Sequence, residues 1–174
     1  MPADLAYPIG KFVRPTAITA EDRARSIRQL AELPLELAGA VDGRSAAQLD
    51  TPYRPGGWTV RQVVHHLADS HLNAFVRIKL ALTEDAPVIK PYDEKQWAEL
   101  PDARLPLAPS MAILHGVHER LATLLQALPE AAFARPLVHP VNGPHTVDTL
   151  VALYAWHGRH HVAHVTGVAQ REGW

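Results

Sequence analysis

The chain has 174 residues, 47% hydrophobic and 20% charged, enough material for one domain spanning residues 1–174 with a sizeable core. Seventeen lysines and arginines against eighteen aspartates and glutamates give a formal net charge of -1, too even a balance for a nucleic-acid or anionic-lipid footprint. Cysteine is absent, which excludes disulfides and thiolate ligands, so a metal site must be built from nitrogen and oxygen and the eleven histidines become the residues to follow.

The first stretch, MPADLAYPIGKFVRP, has no continuous apolar leader, and no later run approaches the ~20 apolar residues that span a bilayer. A cytoplasmic location away from membranes is therefore expected. Thr19, with Asp22 three residues on, marks the start of a first helix, and Ile27, Leu30, Leu37 and Val41 share one stripe with Pro34. Proline inside a helix removes a hydrogen bond and crowds the preceding turn, so this helix is expected to kink or to end its first half at Pro34. SAAQL (45–49) reads as a brief helical turn. Thr59 and Gln62 form a capping box for a second helix running to about Thr83, with Trp58 stapled on Val63 and a stripe of Val60, Val63, Leu67, Ala74, Ile78 and Ala81.

The connection over 83–110 is long, and a short helix around DEKQWAEL is expected to lie across one end of the structure. PYDEKQW (91–97) is a candidate cover for a pocket. A third helix is expected after PLAPS, with Ser110 as its cap and Leu114, Val117, Leu121, Leu124 and Leu128 as its seam. PEAAF (129–133) gives another helical turn. Thr146 caps a fourth helix that carries Leu150, Tyr154, His157, His161, His164 and Val168 at core spacing and ends between Gly167 and Gly173. Prolines and glycines concentrate between these segments and leave few candidates for strands. The economical arrangement is all-α, a four-helix bundle with a long connection between the second and third main helices.

A helix turns about 100° per residue, which puts His157, His160, His161 and His164 of WHGRHHVAH within one arc and Arg159 on the opposite side. Two pairs at i, i+4 spacing result, 157/161 and 160/164. Either can clamp one ion, and spacing alone does not choose between them. A solvated polar stripe or hydrogen-bonded core histidines would satisfy the same pattern. However, several imidazoles buried on a seam without partners would each cost about 1 to 3 kcal/mol, and a metal relieves that cost. The second helix offers a third ligand in RQVVHHLADSHLNAF. His66, Ser70, Asn73 and Arg77 line one edge of its apolar stripe, while His65 points outward as a surface histidine and His71 falls among the core residues. Asp69 reads as a surface carboxylate or one that supports the site from behind. An arginine at a bundle edge such as Arg77 is more often a solvated charge than part of a pocket.

Together LAYPIGKF, QLDTPYRPGGWTVRQVVHHLADSH, RIKLALTEDAPVIKPYDEKQW and LYAWHGRHHVAH, with the closing GW, resemble the YfiT subgroup of the DinB-like metalloprotein superfamily over nearly the whole chain. That group includes bacillithiol S-transferases and proteins described as metal-dependent hydrolases. The resemblance implies a bundle that is usually a homodimer and binds one divalent metal through a histidine of the second helix and a pair from the last. Carried onto this sequence, it implies His66, His160 and His164 as ligands, with His157 and His161 as supporting or pocket residues.

Three neutral imidazoles leave a divalent ion with an open position, as in catalytic rather than closed structural sites. Zinc or nickel is expected, although imidazole also accepts cobalt and copper. A glutamate directly after the first histidine of the terminal pair would serve as general base in a peptidase-type hydrolase, but His161 occupies that place when His160 is the first ligand. This favours a thiol S-transferase that activates a low-molecular-weight thiol of the bacillithiol kind as co-substrate. Ser70, Asn73 and Arg77 would then meet the polar thiol. Hydrolysis of a small amide or ester by metal-bound hydroxide is the alternative, and a non-catalytic dimeric module with a structural metal is the third reading.

Overall fold

The computed structural model describes residues 4–174. In chain order its elements are α1 (Ala20–Val41), α2 (Ala46–Leu49), α3 (Val60–Thr83), α4 (Glu94–Trp97), α5 (Ala108–Gln126), a hairpin of β1 (Pro136–His139) and β2 (Gly143–Thr146), and α6 (Val147–Glu172). Turns of 3-10 helix at Pro101–Arg104 and Glu130–Ala134 precede α5 and the hairpin. Capping boxes start three of the long helices, Thr19 with Asp22, Thr59 with Gln62 and Thr146 with Thr149, each satisfying amide groups that the first turn leaves unpaired. Gly173, at φ 71°, closes α6 in the left-handed conformation that glycine adopts at low cost.

The four long helices form a bundle in which α1 and α3 each pack against both α5 and α6. Helices α1 and α3 are therefore diagonal to one another, as are α5 and α6, so two of the connections cross the bundle instead of joining neighbours. Arg23 ties one end together. Its buried guanidinium gives paired 2.7 Å hydrogen bonds to Asp148 at the start of α6, reaches Glu130 at 2.8 Å and stacks over Phe133. These carboxylates hold Arg23 above its already high ordinary pKa against the opposing cost of burial.

The core is divided. One apolar cluster, with Leu30, Ile78, Leu121, Leu137 and Val151, fills the hairpin end. A second, with Leu37, Val63, Leu67, Leu114 and Val168, fills the other. Between them, at corresponding heights on α3, α5 and α6, lie His71, His118 and the histidines of residues 157–164. Gly158 lets α6 approach α1 at this level. A Cβ there would stand 2.6 Å from Cδ2 of the buried Leu33.

Three local expectations are corrected. Of the two outcomes expected at Pro34, the end does not occur: α1 continues through it, and the carbonyl it deprives of a helical amide, that of Leu30, receives a hydrogen bond from His118 Nδ1. Ser110 is not a cap. Helix α5 begins two residues earlier, with Pro109 in its first turn, and the Ser110 hydroxyl is buried against His65 Nδ1 at 2.7 Å. Leu128 lies beyond the end of α5. The hairpin had no counterpart in the sequence reading. Pro136, Pro140, Gly143 and Pro144 resemble loop punctuation, but a two-stranded ribbon is all edge and tolerates proline, while fully buried Leu137 fastens it to the core.

Candidate metal centre

Helix α3 brings His66 to the inner face of α6, where His157 and His161 occupy successive turns. One nitrogen from each of these three rings lies within 4.8 Å of the other two. The closest approach is His66 Nε2 to His157 Nε2, at 3.2 Å. Around a tetrahedral zinc with bonds of about 2.0–2.1 Å, ligand nitrogens stand roughly 3.3 Å apart, a spacing that the His66–His157 pair already has and towards which His161, within 4.8 Å of both, has only a short way to close. The charge state fits as well. Burial, reinforced by the neighbouring imidazoles, lowers His66 to about 4 and pushes His157 and His161 well below the ordinary histidine value, so all three rings are neutral and retain a lone pair near pH 7.

Each α6 histidine in the trio is backed by another. His157 Nδ1 lies 3.2 Å from His71 Nε2, and His161 Nδ1 lies 3.3 Å from His164 Nδ1. His71 is fully buried and stacks on His118, with ring centroids 4.8 Å apart. The sequence marked His71 as a core residue and passed over His118, although its place between Leu114 and Leu121 on the apolar seam of α5 was a usable signal. Tyr154 closes this inner side, edge-on to both His71 and His157.

His160 and His164, the pair implied by the family resemblance, stand in the adjoining layer. His160 stacks on Trp156 and His164 on Tyr53, with centroids 4.6 and 3.9 Å apart. His164 Nε2 faces the Ala6 carbonyl at 3.3 Å. Residues 157 and 161, assigned by the resemblance to a supporting role, are the ones that converge with His66. Spacing had left the two pairs open because both lie on the same arc of α6, and the placement of α3 separates them.

The remaining candidates divide. Ser70 is buried beside the Tyr92 and Tyr154 hydroxyls. Arg77 is buried too, contrary to the solvated charge expected, and donates to Tyr154 Oη at 3.0 Å and to the Lys90 carbonyl at 3.1 Å. Asn73 turns its amide to the Asp69 carbonyl of its own helix. Asp69 is half-buried, and desolvation lifts its carboxyl to about 6. His65 is not a surface residue. It is buried and pins the first turn of α5 and the chain before it by facing Ser110 Oγ and the Leu105 carbonyl.

A cavity of about 650 Å³ opens onto His160, His161 and His164. Tyr7, Tyr53 and Trp58 give it aromatic walls, Arg54 and Lys95 bring positive charge, and Glu94 and Glu99 bring carboxylates. From the 91–97 segment, Glu94 and Lys95 line this cavity. The share of the N-terminal segment was not legible, because its contacts join residues at opposite ends of the chain. Tyr7 packs on His160, Phe12 on Trp156, and Arg14 reaches His145 and the Pro144 carbonyl.

Residues 29–165 match the model of the DinB superfamily. The chain is 49% identical over 171 residues to a "Putative metal-dependent hydrolase" of Bacillus mycoides (strain KBAB4), an alignment covering 98% of this chain and 99% of the relative. A Bacillus cereus (strain 03BB102) protein of the same name is 48% identical with the same coverage. Among solved structures, YfiT from Bacillus subtilis, described as a probable metal-dependent hydrolase with an unusual four-helix bundle topology, superposes with a TM-score of 0.95 at 46% identity, covering 98% of both chains. No helix among the described residues is long and apolar enough to cross a membrane.

Proposed function

This chain belongs to the DinB superfamily, and from that premise we propose that it is a metal-dependent enzyme in which His66, His157 and His161 hold one divalent ion. The observation that carries the reading is the convergence of three neutral imidazole nitrogens within 4.8 Å on two facing helices. This set takes the place of His66, His160 and His164. Bound there, zinc or nickel would keep an open position and lower the pKa of a thiol or a water entering it.

The protein's own groups prepare that position. His157 Nδ1 lies 3.2 Å from His71 Nε2, and with the proton of that contact on His157 Nδ1 the Nε2 lone pair is free towards His66. Trp58 packs against His66 at 4.7 Å and, with Tyr53, offers an apolar face to a small substrate. Arg54 and Lys95 attract an anionic group, and Glu94 and Glu99 stand in the same cavity to take up a proton.

The reaction proposed is transfer of a low-molecular-weight thiol to an electrophile: a carbon–sulfur bond forms, the leaving group departs from the electrophile, and the thiol proton passes to a cavity base. Its support is that the partners behind the two α6 ligands are His71 and His164, with no carboxylate hydrogen-bonded to the trio among the described residues. Hydrolysis of a small amide or ester is the second reading. It is favoured by Glu94, whose carboxyl is raised by desolvation and which lines the same cavity as His161, and by the names of the relatives.

Metal per chain in untagged protein purified without chelators tests the centre. Near-stoichiometric metal is expected in the parent and in His160→Ala, with loss in His157→Ala and His161→Ala; the reverse pattern would restore the 160/164 pair. Conjugation of a thiol to an activated aryl halide, dependent on the metal, would support transfer. Ester cleavage that persists without thiol and disappears in His161→Ala would establish hydrolysis instead.

A further inference from the structure

Between α6 and the N-terminal segment runs a short chain of polar atoms whose hydrogens can be counted. His164 Nε2 lies 3.3 Å from the backbone carbonyl of Ala6, and His164 Nδ1 lies 3.3 Å from His161 Nδ1. A carbonyl oxygen only accepts, so the proton of this contact belongs to His164 Nε2. A neutral imidazole has one N–H, which leaves His164 Nδ1 bare and able only to accept. The proton between the two rings must then come from His161, on Nδ1. Stacking on Tyr53, centroid to centroid 3.9 Å, holds the His164 ring in place.

We infer that the Ala6 carbonyl, acting through His164, locks His161 in its Nδ1–H tautomer and thereby presents His161 Nε2, lone pair outward, to the metal centre. His164 is then a positioning residue, and a backbone group 158 residues away in sequence governs one ligand of the site. The inference rests on the ligand set His66, His157 and His161 proposed above. It explains why a fourth histidine stands beside the trio without joining it. Partners of this kind are generally worth 10- to 100-fold in metal affinity, because they fix both ring orientation and basicity.

Two substitutions separate the halves of the relay. In His164→Asn an amide oxygen stands where Nδ1 was and accepts from His161, while the contact with Ala6 is lost. In His164→Gln the amide stands where Nε2 was and keeps the contact with Ala6, while His161 loses its acceptor. Zinc affinity, read by competition with a chromophoric chelator, is expected to stay within about threefold of the parent for Asn and to fall at least about tenfold for Gln. The imidazole ¹⁵N spectrum of the metal-free parent, which requires no variant to fold, is expected to show His161 protonated at Nδ1. Equal affinities for Asn and Gln, or a His161 proton found on Nε2, would overturn the relay while leaving the ligand set intact. If both variants abolish zinc binding while His157→Ala retains it, His164 is itself a ligand and the set beneath the inference falls as well.

Discussion

The two apolar ends of the bundle and the histidine layer between them are built on opposite principles. At the ends, Leu30, Leu37, Leu121 and Val168 are fully buried and stabilise the fold simply by leaving water. In the middle, His66, His71, His118, His161 and His164 are nearly as buried, yet each is a polar group that burial penalises, and His71 Nδ1 and His118 Nε2 have no hydrogen-bond partner. The ends therefore hold the helices at fixed separation, and the middle uses that fixed separation to keep imidazoles neutral and close together. Stability and metal affinity should consequently respond to different substitutions.

The largest effect expected from this division is on metal binding. His161→Leu should reduce affinity by at least about 100-fold, since one of the three proposed ligands disappears, while the metal-free chain melts no lower than the parent because an apolar side chain of similar volume replaces a desolvated imidazole. Leu30→Ala should do the converse, losing about 2–5 kcal/mol in denaturant titration with metal per folded chain unchanged. A His161→Leu variant that melts well below the parent would mean that the histidine layer also carries the fold.

Next in size is the response of the metal-free chain to acid. Burial lowers His66 and His118 to about 4, whereas the same side chains in the unfolded chain take up protons near pH 6.5. The unfolded state therefore binds more protons between these values. The contribution of the layer is complete above about pH 6.5 and is lost as pH falls towards 4, by several kcal/mol in all at about 1.4 kcal/mol per unit. Asp69, raised to about 6, works in the opposite direction below that pH and offsets part of the loss. Denaturation midpoints measured from pH 7.5 to 4.5 should fall steeply in the parent and less steeply in His118→Leu; parallel curves would show that the layer does not titrate with folding.

A smaller effect is expected at the point where the layer touches the core. Gly158→Ala would place a methyl group 2.6 Å from Leu33 Cδ2, and because Leu33 is itself buried the strain has little room to dissipate. A loss of about 1–3 kcal/mol is expected, together with a moderate loss of zinc affinity as α6 is displaced between His157 and His160. Unchanged affinity would show that the two helices shift without moving the trio.

How much of this was legible follows the same division. The apolar ends repeat at helical spacing and begin at capping boxes, so Thr19, Thr59 and Thr146 and the stripes behind them gave α1, α3 and α6 within a residue or two. His66 could be picked from the wheel because it borders the stripe of its own helix. The choice between 157/161 and 160/164 depends on the azimuth at which α3 meets α6, a tertiary quantity that spacing on one helix does not contain. His65 was misplaced for a related reason: its outward face is covered by the Leu105 segment, which comes from another part of the chain. Ala6 and Tyr7 gave no local signal, because their partners lie near the other end of the sequence.

Pro34 gives the smallest and most pointed test of how the layer and the fold are joined. In an ordinary helix interior, proline costs about 3 kcal/mol relative to alanine, in part through the carbonyl it leaves unpaired. Here that carbonyl, on Leu30, is paired by His118 Nδ1, so α1 runs through the proline unbroken and His118 keeps its proton on Nδ1. Pro34→Ala supplies a competing amide to the same oxygen. The gain should therefore be under about 1 kcal/mol in the parent background and should approach the ordinary value in a His118→Leu background, where the Leu30 carbonyl would otherwise be left buried and unpaired. The coupling energy of this double-mutant cycle measures the link between the two directly. Additive effects would mean that α1 accommodates its proline by some means other than His118.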